Sequence, residues 1–169
     1  MRLPLAVIIP AMFIAFAFNA GSAFAQQKTL KEQLVGTWTL VSAEIIVPDG
    51  TRVPLVKGNP VKGLQIFADS GKYSFQVIGA HAMVASNDRL KMTPDEMKAS
   101  AESILSNFGT YTVNEAEKSF TVQFESSSFA NQTAAPGKRM VEITGDEMRL
   151  SNPTRIGGGQ TQTVWRRTK

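Results

Sequence analysis

The sequence predicts an all-β fold: an antiparallel up-and-down β-barrel of about eight or nine strands with one short amphipathic helix. Three observations predict it. Segments rich in Val, Ile, Thr and aromatic residues recur along the chain, separated by turn signals built from Pro, Gly, Asp and Asn. Several of these segments alternate apolar and polar residues, the period of a strand with one buried face. Short connections make sequence neighbours pair, and a long meander of that kind has two unpaired edges unless it closes. A closed barrel of about eight strands leaves room for its own side chains or for one small ligand.

The elements follow in order. Arg2, the apolar run over residues 5–18 and the small residues of Ala23-Phe24-Ala25 have the form of a secretory signal peptide cleaved after Ala25. The run falls short of the roughly 20 apolar residues of a membrane span, and no cysteine follows to carry a lipid, so no stable membrane anchor is expected. The organisation is then 1–25 signal peptide and 26–169 one barrel domain, with a periplasmic or secreted location. Residues 26–32 are a polar lead-in with room for one helical turn. Residues 35–47 form a long first strand, with Trp38 and Leu40 on one face and Thr37, Thr39 and Val41 on the other. Pro48-Asp49-Gly50 turns it into a second strand, 51–56, where Pro54 marks either an edge position or a bulge. Strands at 64–68 and 72–78 flank Asp69-Ser70-Gly71; Tyr73, Phe75 and Val77 share a face in the second.

The helix is predicted over 93–107. Thr93-Pro94-Asp95-Glu96 combines a capping box with Pro at the first helical position. Met97, Ala101, Ile104, Leu105 and Phe108 then make one apolar stripe, either a fixed plug for one barrel end or a lid. Strands resume at 110–114 and 119–126, the latter placing Phe120, Val122 and Phe124 on one face. A hairpin over 139–151 turns at Gly145-Asp146, and a last strand covers 161–167.

Composition excludes several function classes. There is no cysteine, so thiol chemistry, thiolate metal sites and a disulfide-stapled scaffold are ruled out. The net charge of +4 is scattered, without the concentrated basic face that nucleic acid requires. The one histidine, His81, lacks the companions of a zinc site, which takes three or four ligands. No nucleophile elbow or phosphate-binding glycine loop is present, and no cofactor is implied.

Gly36-Thr37-Trp38 resembles the Gly-x-Trp signature of lipocalins, and residues 34–42 resemble the opening Leu-Val-Gly-Thr-Trp-x-Leu-Val-Ser of the bacterial and fungal lipocalin-like domain family. Phe67 with Asp69 and Gly71, Gly109-Thr110-Tyr111, Lys138-Arg139 and the final Trp165-Arg166-Arg167 extend the resemblance over nearly the whole mature chain. The resemblance implies a barrel that encloses a small apolar molecule. It also implies a closed end where Gly36, Trp38 and Trp165 lie and where Arg166 or Arg167 packs over Trp38. Where relatives carry a His on the strand equivalent to 119–126 and a Pro-Asn-Trp after it, this chain has neither.

The candidate ligand-binding residues are Phe67, Tyr73, Phe75, Tyr111, Phe124 and Arg139. With Phe120, the aromatics make a set that either lines a pocket or fills the core. An inward Arg139 demands a partner, either the anionic end of a ligand or an acidic side chain such as Glu125 or Glu142. The expected function is binding of an apolar or amphipathic small molecule. A barrel enzyme of the cyclase or isomerase type and a filled-barrel interaction module are the alternatives.

Overall fold

Nine antiparallel strands form one sheet that closes on itself in the computed structural model, which describes residues 28–155 and 157–169. The signal peptide expected at 1–25 lies outside the described residues. The strands are β1 (Gly36–Ile46), β2 (Arg52–Pro54), β3 (Val61–Phe67), β4 (Lys72–Gly79) and β5 (Ile104–Asn114). They continue with β6 (Ser119–Ser127), β7 (Gly137–Thr144), β8 (Glu147–Asn152) and β9 (Gln160–Arg167). Each of β3 to β8 pairs with the strand that follows it, β1 pairs with both β3 and β9, and the ring is complete at eight strands. β2 is the extra strand. It continues along β1 beyond the point where β3 leaves it, so its Pro54 sits at an edge, as the missing N–H requires.

The long first strand changes face midway. A bulge between Leu40 and Ser42 inserts one residue against β9. Before it, Trp38 and Leu40 face inward; after it, Ala43 and Ile45 do, while Val41 is turned out to solvent. Without the bulge, period-two alternation would carry Ile45 outward.

The helix is shorter than its sequence pattern suggests. α2 spans Pro94–Ser103 and starts with the predicted capping box, but Ile104, Leu105 and Phe108 belong to β5. Ile104 and Leu105 pair with Ile78 and Val77 on β4, and these ladder bonds close the ring between β4 and β6. The apolar stripe is thus not a helical face: Met97 is half-exposed, Phe108 lies on the outer wall, and Ser103 is the one buried residue of α2. Tertiary pairing outweighs the helical spacing because an eighth strand satisfies a whole row of backbone groups.

The closed end is built by the chain before β1. A second capping box, Thr29 with Glu32, starts a helix of little more than one turn, α1 (Leu30–Leu34). Its last carbonyls have no helical partners. The Trp38 indole N–H donates to the Leu34 carbonyl at 2.8 Å, and Arg167 donates to the Val35 carbonyl at 3.1 Å and also to that of Gln33. The Arg167 guanidinium carbon lies 4.1 Å from the Trp38 ring centre, a cation–π contact. Gly36 makes room for it: its φ of +131° disfavours a side chain, and a Cβ there would come within 3.1 Å of Arg167 Nη1. Arg166 points outward, so Arg167 is the arginine of the closed end. In this floor Phe67 meets Tyr111 and Phe120 edge to face at 5.1 and 5.2 Å. Trp165 is fully buried and meets Phe75 at 5.7 Å.

Arg167→Ala should destabilise the fold by about 3 kcal/mol, since it removes the cation–π contact and leaves the Gln33 and Val35 carbonyls without donors. Arg166→Ala should change stability by less than about 0.5 kcal/mol. Urea unfolding of the two variants beside the parent measures both.

Candidate functional site

The barrel is hollow above its aromatic floor. The lumen encloses about 810 Å³, within the range of roughly 300–1,000 Å³ typical of small-molecule sites. Phe75, Leu105, Val122, Phe124 and Leu150 supply apolar wall, each the inward residue of its strand. The far opening is rimmed by three connections: α2, the turn over Ala130–Ala134 between β6 and β7, and the stretch between β8 and β9 that holds Thr154 and Arg155. A shallower hollow of about 560 Å³ on the outer wall of β5 and β6 is lined by Thr110, Thr112, Thr121 and Gln123 and lies open to solvent.

Arg139 enters the lumen from β7, opposite Phe120 on β6. Alternation sends Lys138 to the outside, where it pairs with Glu117, and Arg139 to the inside. Its Nη1 donates to the Lys138 carbonyl at 2.9 Å. Gly137 leaves space for this path: a Cβ there would come within 2.8 Å of Nη1 and 3.1 Å of the Phe124 ring. Among the described residues Arg139 makes no ion pair. Glu125 pairs with Lys72 on the outer wall, and Glu142 is an exposed outward residue. Arg139 keeps some accessible area because the cavity it borders is wide, yet barrel wall surrounds it. Burial lowers its pKa below the ordinary arginine range, partly offset by Tyr73, and the guanidinium stays charged at physiological pH.

Beside it runs a fixed polar chain. The Tyr73 hydroxyl on β4 donates to Asn107 Oδ1 at 2.9 Å; Asn107 Nδ2 on β5 donates to Gln132 Oε1 at 3.3 Å. Ser127 Oγ donates to the same Gln132 oxygen at 2.8 Å. The chain ties two wall strands to the β6–β7 turn at the rim. Burial pushes the Tyr73 pKa well above the usual 10, with Arg139 acting to lower it and Glu125 to raise it, so the hydroxyl keeps its proton. It serves as a hydrogen-bonding group, not as a base.

Of the residues singled out in the sequence, Tyr73, Phe75, Phe124 and Arg139 line the lumen. Phe67 and Tyr111 sit in the floor beneath it, and Tyr111 donates to the Ala68 carbonyl at 2.9 Å. Phe120 touches both, packing on Phe67 and facing the cavity. Sequence reasoning passed over Gln65, Asn107 and Gln132. Gln65 was detectable, two residues before the inward Phe67 on one strand; Asn107 was hidden by the helical reading of its segment.

The rim is held by local bonds. The Lys57 N–H donates to the Glu102 carbonyl at 2.9 Å, and their side chains pair at 2.9 Å, fixing α2 to the chain before β3. The Glu96 carboxylate accepts from the Ala85 N–H at 2.8 Å and the Thr93 N–H at 2.7 Å, tethering the 80–92 loop to α2.

A family model described as a lipocalin-like domain matches residues 35–168, which span every strand of the barrel. No curated protein matches the chain significantly.

The two N–H donors of Ala85 and Thr93 hold the Glu96 carboxyl below its ordinary value of 4.5. The tether is therefore at full strength above pH 4.5 and is lost as pH falls through the lower folded value. The Ala85 amide should lose protection against hydrogen exchange on acidification, after correction for the intrinsic rate. Glu96→Gln should remove that pH step.

Proposed function

The chain belongs to the lipocalin-like domain family, and on that footing we propose that it is an exported binding protein. It holds an apolar or amphipathic small molecule in the barrel lumen, with an anionic end on Arg139. The observation that carries this reading is a charged guanidinium inside a largely apolar cavity, with no acidic partner among the described residues. A desolvated charge without a counterion is unfavourable by several kcal/mol, and a carboxylate matches the guanidinium fork with two parallel hydrogen bonds. The apolar wall supplies affinity at roughly 25 cal/mol per Å² of ligand surface removed from water, before the costs of association. Tyr73, held to Asn107, helps fix the polar end in place.

Export is proposed from the leader-like residues 1–25, and a fold that uses no cysteine is indifferent to an oxidising compartment. Tyr73 retains its proton and Arg139 its charge, which favours holding a ligand over transforming it.

Native mass spectrometry of protein purified from its own source should show a co-purifying anionic molecule on a chain that begins at Gln26; a chain free of ligand in repeated preparations counts against binding. Arg139→Met should weaken an 18-carbon fatty acid about ten- to a hundredfold, the worth of a charge-assisted contact, and leave the matching fatty alcohol unchanged. The same variant without ligand should melt a few degrees higher, since an uncompensated charge is gone. Unfolding of the variant would instead make Arg139 part of a structural pair.

A further inference from the structure

Arg139 lacks an acidic partner; a second polar group in the lumen has no hydrogen-bond partner at all among the described residues. Among the described residues five polar side chains are buried: Gln65, Ser103, Asn107, Ser119 and Thr163. Four of them are bonded. Ser103 Oγ donates to the Ser100 carbonyl at 2.9 Å, Asn107 joins the Tyr73 chain, Ser119 Oγ donates to Glu117 at 3.4 Å, and Thr163 Oγ1 accepts from the Trp165 indole at 2.8 Å. Gln65 is the exception. It is 3% exposed, it lines the cavity, and its Oε1 is buried with no hydrogen-bond partner among the described residues.

Its cross-strand partners do not satisfy it. On β3 it stands in register between Trp38 on β1 and Phe75 on β4. The Trp38 N–H is committed to Leu34, and Phe75 has no polar atom. A methionine would fill nearly the same volume without an orphaned polar atom, so folding alone does not call for an amide here.

Its position relative to Arg139 follows from the ring. β3 and β7 are four steps apart in either direction around the eight strands, so the two side chains project from opposite walls. We propose that the ligand carries a second polar group, a hydroxyl set in its apolar body, which meets the Gln65 amide while the anionic group rests on Arg139. The ligand class is a hydroxylated amphipathic carboxylic acid. A hydroxyl both donates and accepts, as the amide does, and is neutral; a second charge at Gln65 would have no counterion. This assignment rests on the Arg139 reading above.

The test uses the mature chain and four probes: octadecanoic acid and its 3-, 10- and 12-hydroxy derivatives, each titrated by calorimetry. At least one hydroxy acid should bind roughly tenfold tighter than the plain acid, the contribution of one buried hydrogen bond. Gln65→Met should erase that preference, keep the plain acid within about twofold, and raise the melting temperature of the unliganded protein. Arg139→Met should weaken all four acids alike. Binding with no preference for any hydroxy acid overturns the Gln65 assignment and leaves Arg139 standing; binding of none of the acids overturns both. If Gln65→Met and Gln65→Leu both melt lower than the parent, the amide is structural and the assignment falls.

Discussion

The closed end of the barrel is the constraint on which the rest depends. α1 ends with carbonyls aimed at the floor, and they are satisfied by the Trp38 indole and the Arg167 guanidinium. These side chains come from β1 and β9, the two strands whose pairing closes the ring. One set of contacts therefore caps a helix, seals a barrel end and fastens the last strand to the first. It also leaves the opposite end as the way in, so the interior becomes a cup.

The cup is not uniformly greasy. Buried polar groups are normally paired, and most here are. Tyr73, Asn107, Gln132 and Ser127 satisfy one another and lock the upper wall to the rim. Trp165 and Thr163 do the same lower down. Against that background Arg139 and Gln65 stand apart, one charged and one neutral, on opposite walls of the same lumen. Stability alone would replace both with apolar residues, and the proposed ligand site gives a reason to keep them.

The rim is tied by contacts of a different kind. Half-exposed carboxylates hold it: Glu96 clasps the 80–92 loop and Glu102 pairs with Lys57. Such contacts are individually weak and screened by salt, in contrast to the buried floor. The molecule is thus most firmly held where it must stay shut and most loosely where a ligand would pass.

The residues alone determined the barrel, most strand positions, the capping box at Thr93 and which of Tyr73, Phe75, Phe120 and Phe124 share a strand face; the capping box at Thr29 and the inward turn of Arg139 came with the tertiary structure. Period-two alternation and turn chemistry are local, and local patterns can be read without coordinates. The tertiary structure decided the rest. It ended α2 at Ser103, because ladder bonds to β4 and β6 claim the segment from Ile104 onward. It put the bulge after Leu40, which keeps Ile45 inward, and chose Arg167 over Arg166. It separated Phe67 and Tyr111 in the floor from Phe75 and Phe124 in the wall, since depth along a barrel axis is set by strand tilt and register, which no single strand encodes. It alone determined that the interior is hollow and that Gln65 lacks a partner among the described residues, because both follow from which distant side chains meet across the lumen.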